Sequence, residues 1–195
     1  MVIAALVLLA AILLPFLAAA KRKSSKVGCV SNLKQVGIAY WMWADDNGGN
    51  YPMQISVTNE GAMELAATGN VAECCRVMSN ILDVPQILIC PLDIKHFPAT
   101  NFASLQNSNI SYFINLDAAG RPPQTMFSGD DNLMVNGTEV RPGILNLHTN
   151  DSLIWTKERH QGAGNILLGD GSVQQAGSTD LNSMDGIATN RLAIP

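Results

Sequence analysis

The sequence predicts an α+β protein in which one long N-terminal helix packs on an antiparallel β-sheet head. Three observations carry that expectation. Residues 1–20, MVIAALVLLAAILLPFLAAA, hold no charge, hydroxyl or amide side chain. Cys29, Leu33, Val36, Tyr40 and Trp43 recur at alternating steps of four and three, which lays them on one face of a helix. From Pro85 onward, short runs rich in Ile, Val, Phe and Tyr are divided by Pro, Gly, Asn and Asp, the texture of strands joined by turns.

The helix comes first. A helix of twenty residues rises about 30 Å, the thickness of a bilayer's hydrocarbon core, so residues 1–26 read as a transmembrane or filament-core helix bounded by Lys21, Arg22, Lys23 and Lys26. Three readings share this run. A removed secretory signal is suggested by Ala18–Ala20, which resemble a cleavage site, but the basic start is missing. A permanent anchor is the second, and charge counting then places the rest of the chain in the cytoplasm. The third is a filament subunit whose apolar helix leaves lipid for a helical bundle; Pro15 loosens or bends such a helix, and its neighbours satisfy the freed carbonyl. No proline or turn pair interrupts the chain from Lys21 to Ala44, so the same helix continues as an amphipathic half over about 27–45 and stops at DDNGGNYP, residues 45–52.

Residues 27–195 are expected to form the head. A short helix is read at about 71–82, after the break at Gly69-Asn70. Strands are read from about 86 onward, at QILIC (86–90), ISYFINL (110–116), QTMFSG (124–129) and NILLGDGSVQQ (165–175). The last is a hairpin, with Gly169-Asp170-Gly171 supplying the positive-φ positions of its turn.

Charge and motifs exclude several functions. The net charge is −4 and the only basic cluster lies at 21–26, so the footprint of a nucleic-acid-binding protein is missing. The three histidines, His96, His148 and His160, stand in no HExxH or nucleophile-elbow context, and no enzyme activity is expected. In HQGAGNILLGDG, His160 and the Asp170-Gly171 pair lie ten positions apart. Asp170 suits the turn chemistry of a hairpin tip, and His160 a hydrogen bond that fixes the strand's approach. Tyr40, Trp41 and Trp43 have the helical spacing of a core and neighbour contact rather than of a ligand-stacking platform.

Three stretches resemble a known family. The apolar run leads through AKRK into CVSNLKQVGIAYWMWADDN; ILICPLD (87–93) is followed by NISYFINLDA (109–118); and His160, nine residues and Asp170-Gly171 match a histidine-x9-aspartate-glycine signature. Together they resemble the prepilin-type H-x9-DG proteins of Planctomycetes, Verrucomicrobia and Lentisphaerae, which are type IV pilin-like or type II secretion pseudopilin subunits. The resemblance implies a pilin-like fold whose head lies outside the inner membrane, and subunits that assemble by packing their N-terminal helices. Filament-core positions are then Leu6, Leu9, Leu13, Pro15 and Phe16. The partners implied are further copies of the chain, the inner membrane before assembly, and the pilus or secretion machinery. The final location is a periplasmic or extracellular filament. The basic leader, the glycine before the cut and the acidic residue of a prepilin do not precede the run here, a departure from the family's pattern.

Related pseudopilins bind calcium in their heads. That resemblance makes Asp45, Asp46 and Asn47, or Asp130, Asp131 and Asn132, calcium candidates, although neither triplet has EF-hand spacing; otherwise no cofactor is expected. A head outside the cytoplasm could oxidise its cysteines. Cys29, Cys74, Cys75 and Cys90 allow three complete pairings, with buried free thiols as the alternative. No CxxC is present. The function expected is a structural filament subunit. The competing expectation is a membrane-anchored extracytoplasmic binding module for a carbohydrate or protein ligand that does not polymerise.

Overall fold

In the computed structural model the apolar run and the amphipathic half form one helix, α1 (Val2–Asp46), which passes through Pro15 without interruption. The structure describes residues 2–118, 123–183 and 190–195, without the side chains of residues 2–8, 10, 12, 18 and 183; Leu6 is therefore outside the described side chains. Among the described residues, no helix is long and apolar enough to cross a membrane. The end of α1 follows from its chemistry. Gly48 and Gly49 take positive φ, the Gly49 amide returns to the Ala44 carbonyl at 2.7 Å, and the Asn47 amide side chain donates to the Trp43 carbonyl at 2.7 Å, so the last carbonyls are capped.

The two halves of α1 have different surroundings. Cys29, Leu33, Val36, Tyr40, Trp43 and Ala44 are buried. By contrast Leu9, Leu13, Leu14, Phe16 and Leu17 are 48–71% exposed.

After α1 the chain wraps the helix with short pieces: α2 (Met63–Ala66), α3 (Val71–Val77) and α4 (Ser79–Leu82), with 3-10 turns at Pro52–Gln54, Val57–Asn59 and Pro85–Leu88. The helix expected over 71–82 is thus two helices broken at Met78, and Asn70 caps the first by accepting from the Glu73 amide. The strand expected at 86–90 does not form. Pro85 occupies the first position of a 3-10 turn, where its fixed φ and missing N–H suit a helical start, and the turn delivers Leu88 and Cys90 into the core.

The sheet begins at β1 (Tyr112–Asn115) and β2 (Met126–Asp130), and continues with β3 (Leu133–Val135), β4 (Thr138–Glu139), β5 (Gly143–Asn146), β6 (Leu153–Trp155), β7 (Ala163–Leu168), β8 (Val173–Gly177) and, after α5 (Ser178–Ser183), β9 (Arg191–Ile194). Six strands form the main sheet in the order β5-β9-β1-β2-β7-β8, and β4-β3-β6 form a small second sheet. Every pairing among the described strands is antiparallel.

Both faces of the main sheet are covered, which explains its apolar runs. Tyr112, Ile114, Phe127, Leu167 and Ala193 join the core under α1. Phe113, Met126, Ile166, Leu168, Leu192 and Ile194 join a second core with Leu153 and Trp155 of the small sheet and Leu181 of α5. Adjacent strand residues point to opposite faces; hence Ile166-Leu167-Leu168 serves two cores at once and shows no polar alternation. In the first core Tyr40 meets Phe127 edge-on at 5.0 Å, and Tyr51 packs tilted at 60° against the same ring at 4.7 Å, which places Tyr40 in the core.

Candidate functional site

The polar groups of the interior collect where α1, the segment around Cys90, β2 and the start of β7 converge. The chain reverses into β7 through three successive positive-φ residues: His160 at 49°, Gln161 at 62° and Gly162 at 83°. Such a conformation in a non-glycine residue is costly and must be held by its surroundings. Here it turns the His160 ring inward, 4% exposed. Its Nε2 lies 3.3 Å from Cys90 Sγ, 3.3 Å from Asp130 Oδ2 and 3.1 Å from Asn165 Nδ2. Asp130 is at the end of β2 and accepts from the Asn165 backbone N–H at 2.7 Å, from Asn165 Nδ2 at 2.9 Å and from the Cys29 thiol at 3.4 Å. Cys29 brings α1 into the group, 3.3 Å from Asn165 Nδ2 and 3.6 Å from the Tyr112 hydroxyl.

A second cluster adjoins the first. Arg159 is 3% exposed; its guanidinium pairs with Asp93 at 2.9 Å and with Asp131, and donates to the Ser111 carbonyl at 3.2 Å. Asp93 also accepts from the Ser111 hydroxyl at 2.6 Å and meets His96 Nδ1 at 2.8 Å. Two sequence-adjacent cations, Arg159 and His160, therefore face two sequence-adjacent carboxylates, Asp131 and Asp130.

Burial and pairing set the charges. Burial opposes the His160 imidazolium, but its hydrogen bonds to Asp130 and Cys90 outweigh this and raise its pKa to about 9. The Cys90 thiol is lowered to about 6, first by its contact with Cys29 and then by His160, against the cost of burial. Cys29 moves the other way, raised by its bond to Cys90, by burial and by the Asp130 charge. Burial would raise Asp93, but His96, Arg159 and Ser111 hold it well below the usual carboxylate range. Asp131 is pushed up to about 6 by burial, partly countered by Arg159 and His96.

The nine-residue spacing of the signature is the length of β7 with its two turns. His160 and Asp170 do not meet; they lie at opposite ends of the strand, about 20 Å apart at ~3.3 Å per residue. Asp170 is exposed and accepts from the Ser172 amide at 2.8 Å, an Asx turn. Of the glycines flanking it, Gly171 has the positive φ of 89° and Gly169 does not. A Cβ on Gly171 would come within 2.5 Å of the Trp41 ring, and a Cβ on Gly37 within 2.8 Å of Leu167. So β7 and its turn track along α1: Asn165 against Cys29, Leu167 against Gly37, Gly171 against Trp41. From Cys29 to Trp41 the helix rises about 18 Å, which matches the strand.

Chemically, the cluster differs from a nucleophile–base–orienter relay, in which the orienting acid binds the nitrogen that the nucleophile leaves free. Cys90 and Asp130 both approach Nε2, while Nδ1 has no hydrogen-bond partner among the described residues. The donor set Cys29, Cys90, Asp130 and His160 lies within 4.8 Å of itself and is fully buried, and its 3.3–3.4 Å edges suit a tetrahedral ion with bonds of about 2.0–2.3 Å. Yet the Asn165 amide aims its N–H groups into that space, so an ion requires that amide to turn and present its oxygen. Asp93, His96 and Asp131 form another such group, which Arg159 already neutralises.

The two triplets read as alternative calcium candidates stand at separate places. Asp130 touches Cys29, and Asp45 lies about 24 Å further along α1 at 1.5 Å per residue. Asp130 and Asp131 are each engaged by a cation on opposite sides of the strand end, and Asn132 donates to the Thr156 carbonyl at 3.4 Å. All four cysteines are free thiols. Cys74 and Cys75 on α3 lie against Tyr40, and burial raises both, Cys75 to about 12. Sequence reasoning missed Asp93, Arg159, Asn165 and Asn32, whose side chain donates to the Ile89 carbonyl at 2.9 Å. The signal for Asn165 was an amide within an otherwise apolar strand.

The chain matches no protein-family model, and no curated protein and no solved structure matches it at a significant level.

Proposed function

We propose that the chain is a structural, non-catalytic subunit of a type IV pilus-like or type II secretion pseudopilus filament, held first in the inner membrane with its head outside. One observation carries this reading: a single helix presents an exposed apolar half, Leu9 to Leu17, that is continuous with a half locked into the head. An apolar helical surface without a partner among the described residues calls for lipid or for neighbouring helices. A tether for a binding module needs only to span. Here the stem instead enters the head without a linker and is seated at Cys29, Gly37 and Trp41 over about 18 Å, which supports a subunit that must transmit position from stem to head. Ile38 and Met42, one turn apart on the outer face of α1, are exposed as well and extend the surface available to sister copies.

Electron microscopy of the full chain, expressed with a pilus-type assembly machinery, tests the reading. Wild-type protein is expected to give helical filaments, and Leu13→Glu to give none while its head stays folded, because a charge in the helix bundle is left unpaired. Solitary membrane-bound molecules in the wild-type preparation would sink the proposal and leave the tethered module.

A further inference from the structure

Cys29 and Cys90 place their sulfurs within 4.8 Å of each other, fully buried, one on the filament helix and the other on the segment that packs beneath it. We propose that these two residues are a covalent modification site, oxidised by a disulfide-bearing oxidant of the compartment that receives the head, and that the resulting intramolecular disulfide bolts α1 to the head. The inference rests on the extracytoplasmic placement of the head, since disulfides persist in oxidising compartments.

The surroundings select this pair and this chemistry. Cys74 and Cys75 lie against Tyr40, about 16 Å along α1 from Cys29, and being adjacent on a helix they diverge from each other. Joining Cys29 to Cys90 keeps the hydrogen bonds that hold Asp130. Asp130 loses the thiol donor but keeps the Asn165 backbone and side-chain N–H groups and His160. A metal ion in the same place would require the Asn165 amide to reverse, whereas the disulfide leaves its bonds to Asp130 as they are.

Both thiols are inaccessible in the docked structure, so oxidation begins before α1 seats. The Cys90 thiolate attacks one sulfur of the oxidant; a mixed disulfide forms, the oxidant's S–S bond breaks and one oxidant thiolate leaves. Docking of α1 then brings Cys29 against that bond. Its thiol already donates to Asp130 Oδ1 at 3.4 Å, and the carboxylate takes the proton. The Cys29 thiolate attacks Cys90 Sγ, the mixed bond breaks, and the second oxidant thiolate leaves. Two protein thiols have lost two electrons and two protons, and the oxidant has become two thiols. The bond sits at the end of the contact nearest the exposed half of α1, the first point loaded when the stem is pulled.

The test uses the full chain, expressed with its head delivered to an oxidising compartment. Membranes are quenched with iodoacetamide and digested with trypsin without reduction. Cutting after Lys26, Lys34, Arg76 and Lys95 separates Cys29 (residues 27–34) from Cys74 and Cys75 (35–76) and from Cys90 (77–95). The expected result is peptide 27–34 linked to peptide 77–95, with Cys74 and Cys75 both alkylated. Alkylation of all four cysteines, a link through Cys74 or Cys75, or one zinc per chain with four intact thiols would each overturn the proposal. Microscopy of the same preparation separates the two readings: the 29–90 link without filaments removes the filament alone, and filaments with four thiols remove the disulfide alone.

Discussion

Substituting Gly171 with alanine probes whether α1 is truly seated on the β7–β8 turn. Gly171 has φ +89°, and a Cβ there would stand 2.5 Å and 2.7 Å from two carbons of the Trp41 ring. Gly137 offers an internal control, with φ +81° and nothing within 4 Å of its Cβ position. Both changes force an L-residue into the left-handed region, at about 1–2 kcal/mol. Only Gly171→Ala must also displace Trp41, an overpacking cost of about 1–3 kcal/mol. Gly137→Ala is therefore expected to cost about 1–2 kcal/mol and Gly171→Ala about 2–5 kcal/mol. For a chain of this size each kcal/mol lowers Tm by roughly 2–4 °C. Urea and thermal unfolding of the full chain in detergent, followed by far-UV circular dichroism, read the difference. Trp41→Leu introduced together with Gly171→Ala should cost less than the sum of the single changes, because the shorter side chain relieves the collision. Equal losses for the two glycine variants, or strict additivity with Trp41→Leu, would refute the seating.

Three further outcomes follow from the buried clusters. Arg159→Met leaves Asp93 and Asp131 without their shared cation and should destabilise the head by about 3–5 kcal/mol, measured by urea denaturation; a loss under 1 kcal/mol would mean that the pair is solvated. In the thiol form, the raised His160 pKa contributes stability that is complete below about 6.5 and lost as pH rises through about 9, a term on the order of 3 kcal/mol; the lowered Cys90 belongs to the same pair, so its contribution fades as pH falls through about 6. Between about pH 6.5 and 9 the two contributions run in opposite directions, so wild type should be nearly flat there, whereas Cys90→Ser, which removes the offsetting thiolate and leaves Asp130 on His160, should lose stability between about pH 7 and 8.5 in urea unfolding; parallel curves for the two proteins would count against the pairing. Reduction of a Cys29–Cys90 bond, which closes a loop of roughly 60 residues, should lower stability by about 4 kcal/mol, and Cys29→Ser with Cys90→Ser should make the protein insensitive to reductant.

The helix was legible because its signal is periodic and local: one residue in three or four, from Cys29 to Trp43, is apolar and buried. β1, β2 and the β7–β8 hairpin were legible as apolar, β-branched and aromatic runs bounded by turn residues. β3, β4, β5, β6 and β9 were not, since these strands of two to four residues lie outside any longer apolar run. At 86–90 the apolar, β-branched composition pointed to a strand, but Pro85 and burial against α1 decided for a 3-10 turn. His160 stood out in the sequence, yet its partners did not. Cys90 is 70 residues away from it, and Cys29 lies 136 residues from Asn165, so nothing local announces the cluster. Asp130-Asp131-Asn132 looked like oxygen ligands because acids and an amide stood together; successive residues at a strand end point apart, and each acid found its own cation.

The signature spacing has a geometric meaning that neither end shows alone. A helix advances about 1.5 Å per residue and a strand about 3.3 Å, so the twelve residues of α1 from Cys29 to Trp41 are matched by about half as many in β7. Asn165, Leu167 and the turn at Gly171 meet that helical interval at its two ends and near its middle. Lengthening β7 by one residue would do more than shift a contact: the side-chain alternation would reverse, sending Leu167 to the far core and removing either Asn165 or Gly171 from α1. The buried polar cluster then acts as the registration point of this match. An apolar strand can slide along an apolar helix at modest cost, but the bonds among Asp130, His160, Asn165 and Cys29 form in one register, and slipping breaks them, at about 1–3 kcal/mol for each buried polar group left unpaired. In the proposed filament the same register would fix where every head stands on its stem, which is what a helical lattice of identical subunits needs.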